Sequence, residues 1–178
     1  MRFSHAPGCP VALRDLRFLT MRYVGFDGDP HVGEMVVHRT KVRDVVDVFR
    51  TLYERRWPIR RMRLVDDYRG DDDRSMAANN TSGYNCRLTG SGDRWSEHAY
   101  GRAIDINPVQ NPYVVGSAVA PAEGRRYASL DRSADATPPR GVIVADDVVV
   151  SAFERRGWVW GGDWVNSKDY QHFSSTGL

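Results

Sequence analysis

The segment Ser96-Glu97-His98-Ala99-Tyr100-Gly101-Arg102-Ala103-Ile104-Asp105 holds the most informative residues of the chain. It places His98 and Asp105 on either side of Gly101, which lets the backbone reverse between them because it has no side chain. The residues before Asp105 alternate as in a short strand, with Ala103 and Asp105 on the same face. Because Ala103 is small, it leaves room beside Asp105. The segment therefore predicts two polar side chains that converge on one point.

A second segment, Lys168-Asp169-Tyr170-Gln171-His172-Phe173, adds another histidine and another aspartate. A catalytic zinc ion needs three nitrogen or oxygen ligands, an open position for water and a carboxylate that takes the proton of that water. His98, Asp105 and His172 are therefore candidate ligands of one catalytic Zn²⁺, and Asp169 is the candidate base. The three-residue step from Asp169 to His172 predicts that both lie on one face of a helical turn. The spacing leaves open an alternative, in which Asp169 caps a helix and His172 lies at the surface.

Together the two segments give the pattern Ser-x-His-x-x-Gly-x-Ala-x-Asp followed by Asp-x-x-His. This pattern resembles the zinc D-alanyl-D-alanine carboxypeptidase family. That family also contains D-Ala-D-Ala dipeptidases and the L-alanyl-D-glutamate endopeptidases of phage lysins, and its members cleave peptidoglycan stem peptides or their precursors. The resemblance covers residues 35–173, and it is specific in the two short segments only.

The resemblance implies a role for each matching residue. The three candidate ligands match the zinc ligands of the family, and Asp169 matches its catalytic base. Arg87 matches an arginine that faces the scissile carbonyl and stabilises the oxyanion. Ser96 matches a serine that hydrogen-bonds the substrate. Trp95 is a candidate for lining the substrate cleft, since it lies three residues before His98.

The residue at the base position leaves the cleaved bond open. Many carboxypeptidases of this family have glutamate there, whereas Asp169 is more similar to the endopeptidase branch. The implied function is hydrolysis of either the D-Ala-D-Ala bond or the L-Ala-D-Glu bond, and both remodelling of the cell's own wall and lysis of another cell fit it. The rival hypothesis is a non-catalytic, zinc-containing binding module of the same fold, as in Hedgehog proteins. Asp169 and Arg87 favour the enzyme, because a binding module would not require them.

The hydrophobic pattern predicts an α+β fold: a small, mainly antiparallel sheet with flanking helices, of the Hedgehog/DD-peptidase type that the resemblance implies. Helices are expected at residues 42–53, capped by Thr40, and from Asp146 to Gly157. Strands are expected at residues 35–37, 59–65, 84–88 and 103–106.

The chain length predicts one catalytic domain over residues 1–178. Within it, residues 1–34 are expected to be an N-terminal extension that packs on the domain. Residues 66–83 and 107–139 are polar or proline-rich and lack periodicity, so they are expected to be long loops.

The charge balance and hydropathy exclude several partners. The net charge of +2 is not that of a dedicated nucleic-acid binder, and no apolar run reaches the ~18 residues of a membrane span. The expected partner is a peptidoglycan stem peptide or its precursor, and the oligomeric state is open. Such a substrate implies action outside the cytoplasm, in the cell wall or after secretion, although the first residues do not form a signal peptide.

Cys9 and Cys86 are the two cysteines of the chain. They can form one disulfide or remain two buried thiols, and the sequence does not decide between these alternatives.

Overall fold

The chain folds into three small antiparallel sheets and three short helices. The computed structural model describes all residues from Met1 to Leu178. The helices are Val42–Glu54 (α1), Asp72–Ala77 (α2) and Val148–Glu154 (α3). The strands are Leu16–Val24 (β1), Pro30–His38 (β2), Ala103–Asp105 (β3), Tyr113–Val115 (β4), Ala118–Ala120 (β5), Val159–Trp160 (β6), Lys168–Asp169 (β7) and His172–Ser174 (β8). The predicted α+β class is confirmed. None of the helices has the length and apolarity needed to cross a bilayer.

The longest strands form a hairpin, in which β1 pairs with β2 from Leu16 opposite His38 to Val24 opposite Pro30. The sequence predicted only the centre of β2 and placed β1 in the N-terminal extension. The alternation of β1 is irregular, because Phe18 is an exposed aromatic residue on a strand that also carries two exposed arginines. A hydrophobic pattern of this kind does not mark a strand on its own.

The main core lies between the hairpin, α1 and α3, and it extends beneath β3, β6 and β8. Helix α1 buries Val45, Val48, Phe49 and Leu52 on one face, as its helical spacing predicts. The predicted caps were wrong. No side chain caps α1, and Asp147, not Asp146, accepts hydrogen bonds from the first backbone N–H groups of α3.

A central sheet in the order β3-β8-β6 carries both segments that the sequence singled out. Strand β3 lies where it was predicted, and its register with β8 places Asp105 directly opposite His172. A third sheet, in the order β5-β4-β7, pairs Tyr113 of β4 with Asp169 of β7. The central and third sheets therefore deliver neighbouring residues of the second segment to the same region.

Both segments expected to be loops contain regular structure. Residues 66–83 include α2, whose first turn is capped by Asp71, and residues 107–139 include the β4–β5 hairpin. Conversely, the strands expected at 59–65 and 84–88 do not form. Each of these segments instead makes an isolated bridge to another segment, Met62 to Thr81 and Leu88 to Trp95.

A disulfide joins Cys9 to Cys86 across 77 positions and settles the choice that the sequence left open. Around it, Cys86 N–H donates to the carbonyl of Ser4, and the Asp66 carboxylate accepts from the Phe3 N–H and the Ser4 hydroxyl. The N-terminal residues are thereby fixed beside the segment that leads to Arg87.

Candidate metal centre

Two histidines and one aspartate meet in the centre of the molecule. His98 Nε2 lies 3.1 Å from Asp105 Oδ2, His172 Nδ1 lies 3.0 Å from Asp105 Oδ1, and the two ring nitrogens are 3.3 Å apart. All three side chains are buried, and one potential ligand atom of each lies within 4.8 Å of the others. The structure thus brings together the three residues that the sequence proposed as ligands.

The local backbone explains how the chain reaches this arrangement. The β3–β8 register sets Asp105 opposite His172, and His98 lies on a 3₁₀ turn, Glu97–Tyr100, next to them. Gly101 ends that turn with φ of 64°, and a Cβ atom there would lie 2.6 Å from the backbone nitrogen of His38. Glycine is therefore required at this position for both its conformation and its close packing.

Main-chain oxygens hold the two imidazole rings in place. His98 Nδ1 is 2.7 Å from the carbonyl oxygen of Gly83, and His172 Nε2 is 3.1 Å from the main-chain oxygen of Leu178. Such an oxygen accepts a hydrogen bond but cannot donate one, so these outer nitrogens carry protons. The inner nitrogens, Nε2 of His98 and Nδ1 of His172, then carry the lone pairs that a metal ion needs.

The electrostatics of the three residues suit a cation. Burial raises the pKa of the Asp105 carboxyl, but the two imidazoles outweigh this effect and hold its pKa well below the ordinary range. Burial lowers the pKa of His172, but its hydrogen bond to Asp105 and the charge of that carboxylate raise it to about 9. Three convergent nitrogen and oxygen donors fit the ligand set of a catalytic zinc ion, which leaves one position open.

Asp169 lies beside this cluster on a strand. The sequence placed Asp169 and His172 on one helical turn, and this was wrong, because β7 and β8 carry them on either side of a tight connection. Gly161 allows their close approach, since a Cβ atom there would lie 3.0 Å from the Cβ of Asp169 and 3.3 Å from that of His172.

The carboxylate of Asp169 is not consumed by structural contacts. Its Oδ1 atom is buried and has no hydrogen-bond partner. Burial raises the pKa of this carboxyl to about 6, although His172 acts in the opposite direction. An unpartnered buried acceptor is uncommon in a folded protein, and its position beside the cluster indicates a role in binding or chemistry.

The cluster opens into a cleft of about 1300 Å³. The other predicted site residues, Arg87, Trp95 and Ser96, line the same cleft. Trp95 is half-buried, whereas Ser96 is buried and its Oγ accepts the backbone N–H of His98 at 3.3 Å. Ser96 therefore also shapes the turn that presents His98.

The guanidinium of Arg87 has a charged partner in the cleft. Its Nη2 lies 2.8 Å from Oδ2 of Asp72 on α2, and its Nη1 donates to the carbonyl of Leu88 at 3.2 Å. Its Nε–H is buried without a partner, so one directed donor of this arginine is free.

Several residues of the site escaped prediction from the sequence. Gly83 and Leu178 act through backbone carbonyls, which no side-chain pattern reports. Asp72 lies in residues 66–83, which were expected to be a loop, and Gly161 contributes only through its lack of a side chain. Trp164 lies over His172, with ring centroids 5.5 Å apart. The Gly161-Gly162 pair, which is separated from Trp164 only by Asp163, was the one available signal of unusually close packing.

Three nitrogen and oxygen donors beside a free carboxylate, in an open cleft, are the arrangement of a metal-dependent hydrolase. Residues 89–175 match the family described as D-alanyl-D-alanine carboxypeptidase. The match spans the three candidate ligands and Asp169. Comparison with curated proteins and with solved structures gives no significant match.

Proposed function

We propose that the protein is a zinc-dependent peptidase that hydrolyses a peptide bond in peptidoglycan stem peptides, outside the cytoplasm. The observation that carries the proposal is the convergence of His98, Asp105 and His172 beside the unpartnered Asp169 carboxylate in one cleft. The family match over residues 89–175 supports the reaction class. The Cys9–Cys86 disulfide supports the location, because disulfides persist in oxidising compartments.

In this proposal the His–Asp–His cluster holds the metal. A bound Zn²⁺ supplies Lewis acidity, which makes water nucleophilic near neutral pH and polarises a carbonyl. His98 and His172 bind through Nε2 and Nδ1, since their other nitrogens donate to backbone carbonyls. Asp105 contributes one negative charge to the ligand set.

The remaining residues move the proton and bind the substrate. Asp169 takes a proton from the attacking water and returns it to the leaving amine. Arg87 donates a hydrogen bond to the carbonyl oxygen as negative charge develops there. Ser96 and Trp95 contact the peptide in the cleft.

The proposal includes two bonds, D-Ala-D-Ala and L-Ala-D-Glu, and aspartate at position 169 supports the second. Mass spectrometry of purified muropeptides, incubated with the zinc-loaded protein and with a chelated sample, distinguishes them. Loss of the terminal D-Ala identifies a carboxypeptidase, and cleavage between L-Ala and D-Glu identifies an endopeptidase. An unchanged muropeptide with zinc still bound would contradict the proposal and favour a binding module.

Asp169→Asn tests the proposed base within the same assay. Asparagine keeps the shape of the side chain but cannot accept the proton at neutral pH, so turnover is expected to fall by about 10²–10⁴-fold. Zinc content is expected to stay at the wild-type level, because Asp169 is outside the ligand set. Near-normal turnover of Asp169→Asn would remove Asp169 from the mechanism.

A further inference from the structure

Helix α2 presents one carboxylate to the cleft in a defined contact. Asp72 Oδ2 lies 2.8 Å from Arg87 Nη2, and the side chains are 21% and 29% exposed. The other oxygen, Oδ1, is 3.4 Å from the Asn85 side-chain amide, which also donates to the carbonyl of Gly70. Asp72 is thus fixed at both oxygens and faces the arginine from one side.

This contact determines which donors of Arg87 remain free. A guanidinium has five N–H donors in a rigid plane, so a fixed partner at one end orients the others. Asp72 and the Leu88 carbonyl engage the two terminal nitrogens, and the buried Nε–H is left without a partner. The contact with Asp72 therefore fixes the plane of a guanidinium whose side chain is still 29% exposed and lines the cleft.

We infer that Asp72 is a positioning residue, which holds the guanidinium of Arg87 in the orientation that meets the substrate carbonyl in the cleft. The inference rests on the proposed function, in which Arg87 stabilises the developing oxyanion. It assigns to α2 a part in the reaction, although α2 lies outside residues 89–175 that match the family.

Steady-state kinetics of Asp72→Asn, Arg87→Ala and the double variant, on the muropeptide that the wild-type protein cleaves, test the inference. Asp72→Asn keeps the volume of the side chain and removes its charge. Its kcat is expected to fall by about 10–100-fold, as is typical when an orienting partner is lost, with little change in KM. In the Arg87→Ala background the same change is expected to have no further effect, because the residue it orients is gone.

Two further variants separate positioning from a general structural role. Asp72→Glu restores the charge and is expected to recover part of the lost kcat. Asp67→Asn removes another carboxylate of the same segment, paired with Arg63 at 4.0 Å and largely exposed, and is expected to keep wild-type kinetics. Zinc content and the free energy of unfolding should be similar in all of these proteins.

The outcomes separate this inference from the proposed function. If Arg87→Ala keeps wild-type kcat, the role of Arg87 in the proposed function is wrong. If Arg87→Ala loses kcat while Asp72→Asn keeps it, only the positioning role of Asp72 is wrong. Additive losses in the double variant, or a loss of zinc in Asp72→Asn, would also overturn the inference.

Discussion

His98 and His172 offer different ring nitrogens to the same centre, and backbone carbonyls explain the difference. The Gly83 carbonyl engages Nδ1 of His98, while the main-chain oxygen of Leu178 engages Nε2 of His172. The two rings are thus held with different nitrogens facing the centre before any metal arrives. Such preorganisation lowers the conformational cost of metal binding, because the rings need not reorient.

Replacing one of these rings tests the ligand set. His172→Ala removes one of three donors and is expected to lose stoichiometric zinc, measured by metal analysis after dialysis. His31→Ala is the matched control, because His31 is half-exposed and pairs with Asp27 far from the cluster along the chain. His31→Ala should keep its zinc. Zinc retained at full occupancy by His172→Ala would exclude His172 as a ligand.

At the scale of single residues, the sequence predicted the donors but not what orients them. His98, Asp105 and His172 stand in a spacing that is informative because metal ligands must be specific residue types. Gly83 contributes only its carbonyl, which every residue possesses, so its identity carries no signal of that contact. Asp72 lies in an acidic run, and its partner Arg87 is distant in sequence.

Strand β4 pairs with the strand that carries Asp169, and a buried arginine contacts the residue next to Asp169. Arg132 donates to Asn111 Oδ1 and to the carbonyls of Gln110, Tyr127 and Ile143. Its guanidinium lies over the ring of Tyr170, 4.0 Å from the centroid. Since Tyr170 follows Asp169, one side chain joins residues 107–147 to the strand that carries the proposed base.

Arg132→Met is expected to destabilise the protein strongly. Methionine fills similar space but leaves the buried carbonyls of Gln110 and Ile143 without a donor, and each unsatisfied group costs about 1–3 kcal/mol. The free energy of unfolding in urea should therefore fall by at least about 2 kcal/mol. Arg126→Met is the control, because Arg126 also lies over a tyrosine ring, 4.7 Å from the centroid of Tyr127, but is exposed. Equal stability of the two variants would contradict this role of Arg132.

At the scale of elements, periodicity predicted the long helix α1 and missed the short strands around the site. Strands of two or three residues, such as β4 and β7, are too short for an alternating pattern to emerge. Their positions depend on contacts with distant segments, for example the Asp169–Tyr113 pair. The proline-rich region that contains them therefore looked like a loop.

The disulfide acts on the whole molecule, because it closes a loop of 77 positions that contains the hairpin, α1 and α2. In the chain-entropy description, a cross-link of this span stabilises the folded state by about 4 kcal/mol. Reduction should lower the urea midpoint of the wild-type protein accordingly. A Cys9→Ser/Cys86→Ser variant should already show the lower midpoint and should not respond to reductant. A midpoint unchanged by reduction would show that the bond contributes little.

The candidate site draws on both halves of the chain, and this limits how the protein can be divided. A fragment trimmed to residues 89–175 would contain every proposed zinc ligand and the proposed base. It would lack Gly83, Arg87 and Asp72. His98 would therefore lose the hydrogen bond that orients its ring, and the cleft would lose the guanidinium that Asp72 holds. A fusion protein or a domain exchange should therefore carry the whole chain, not only residues 89–175, which match the family.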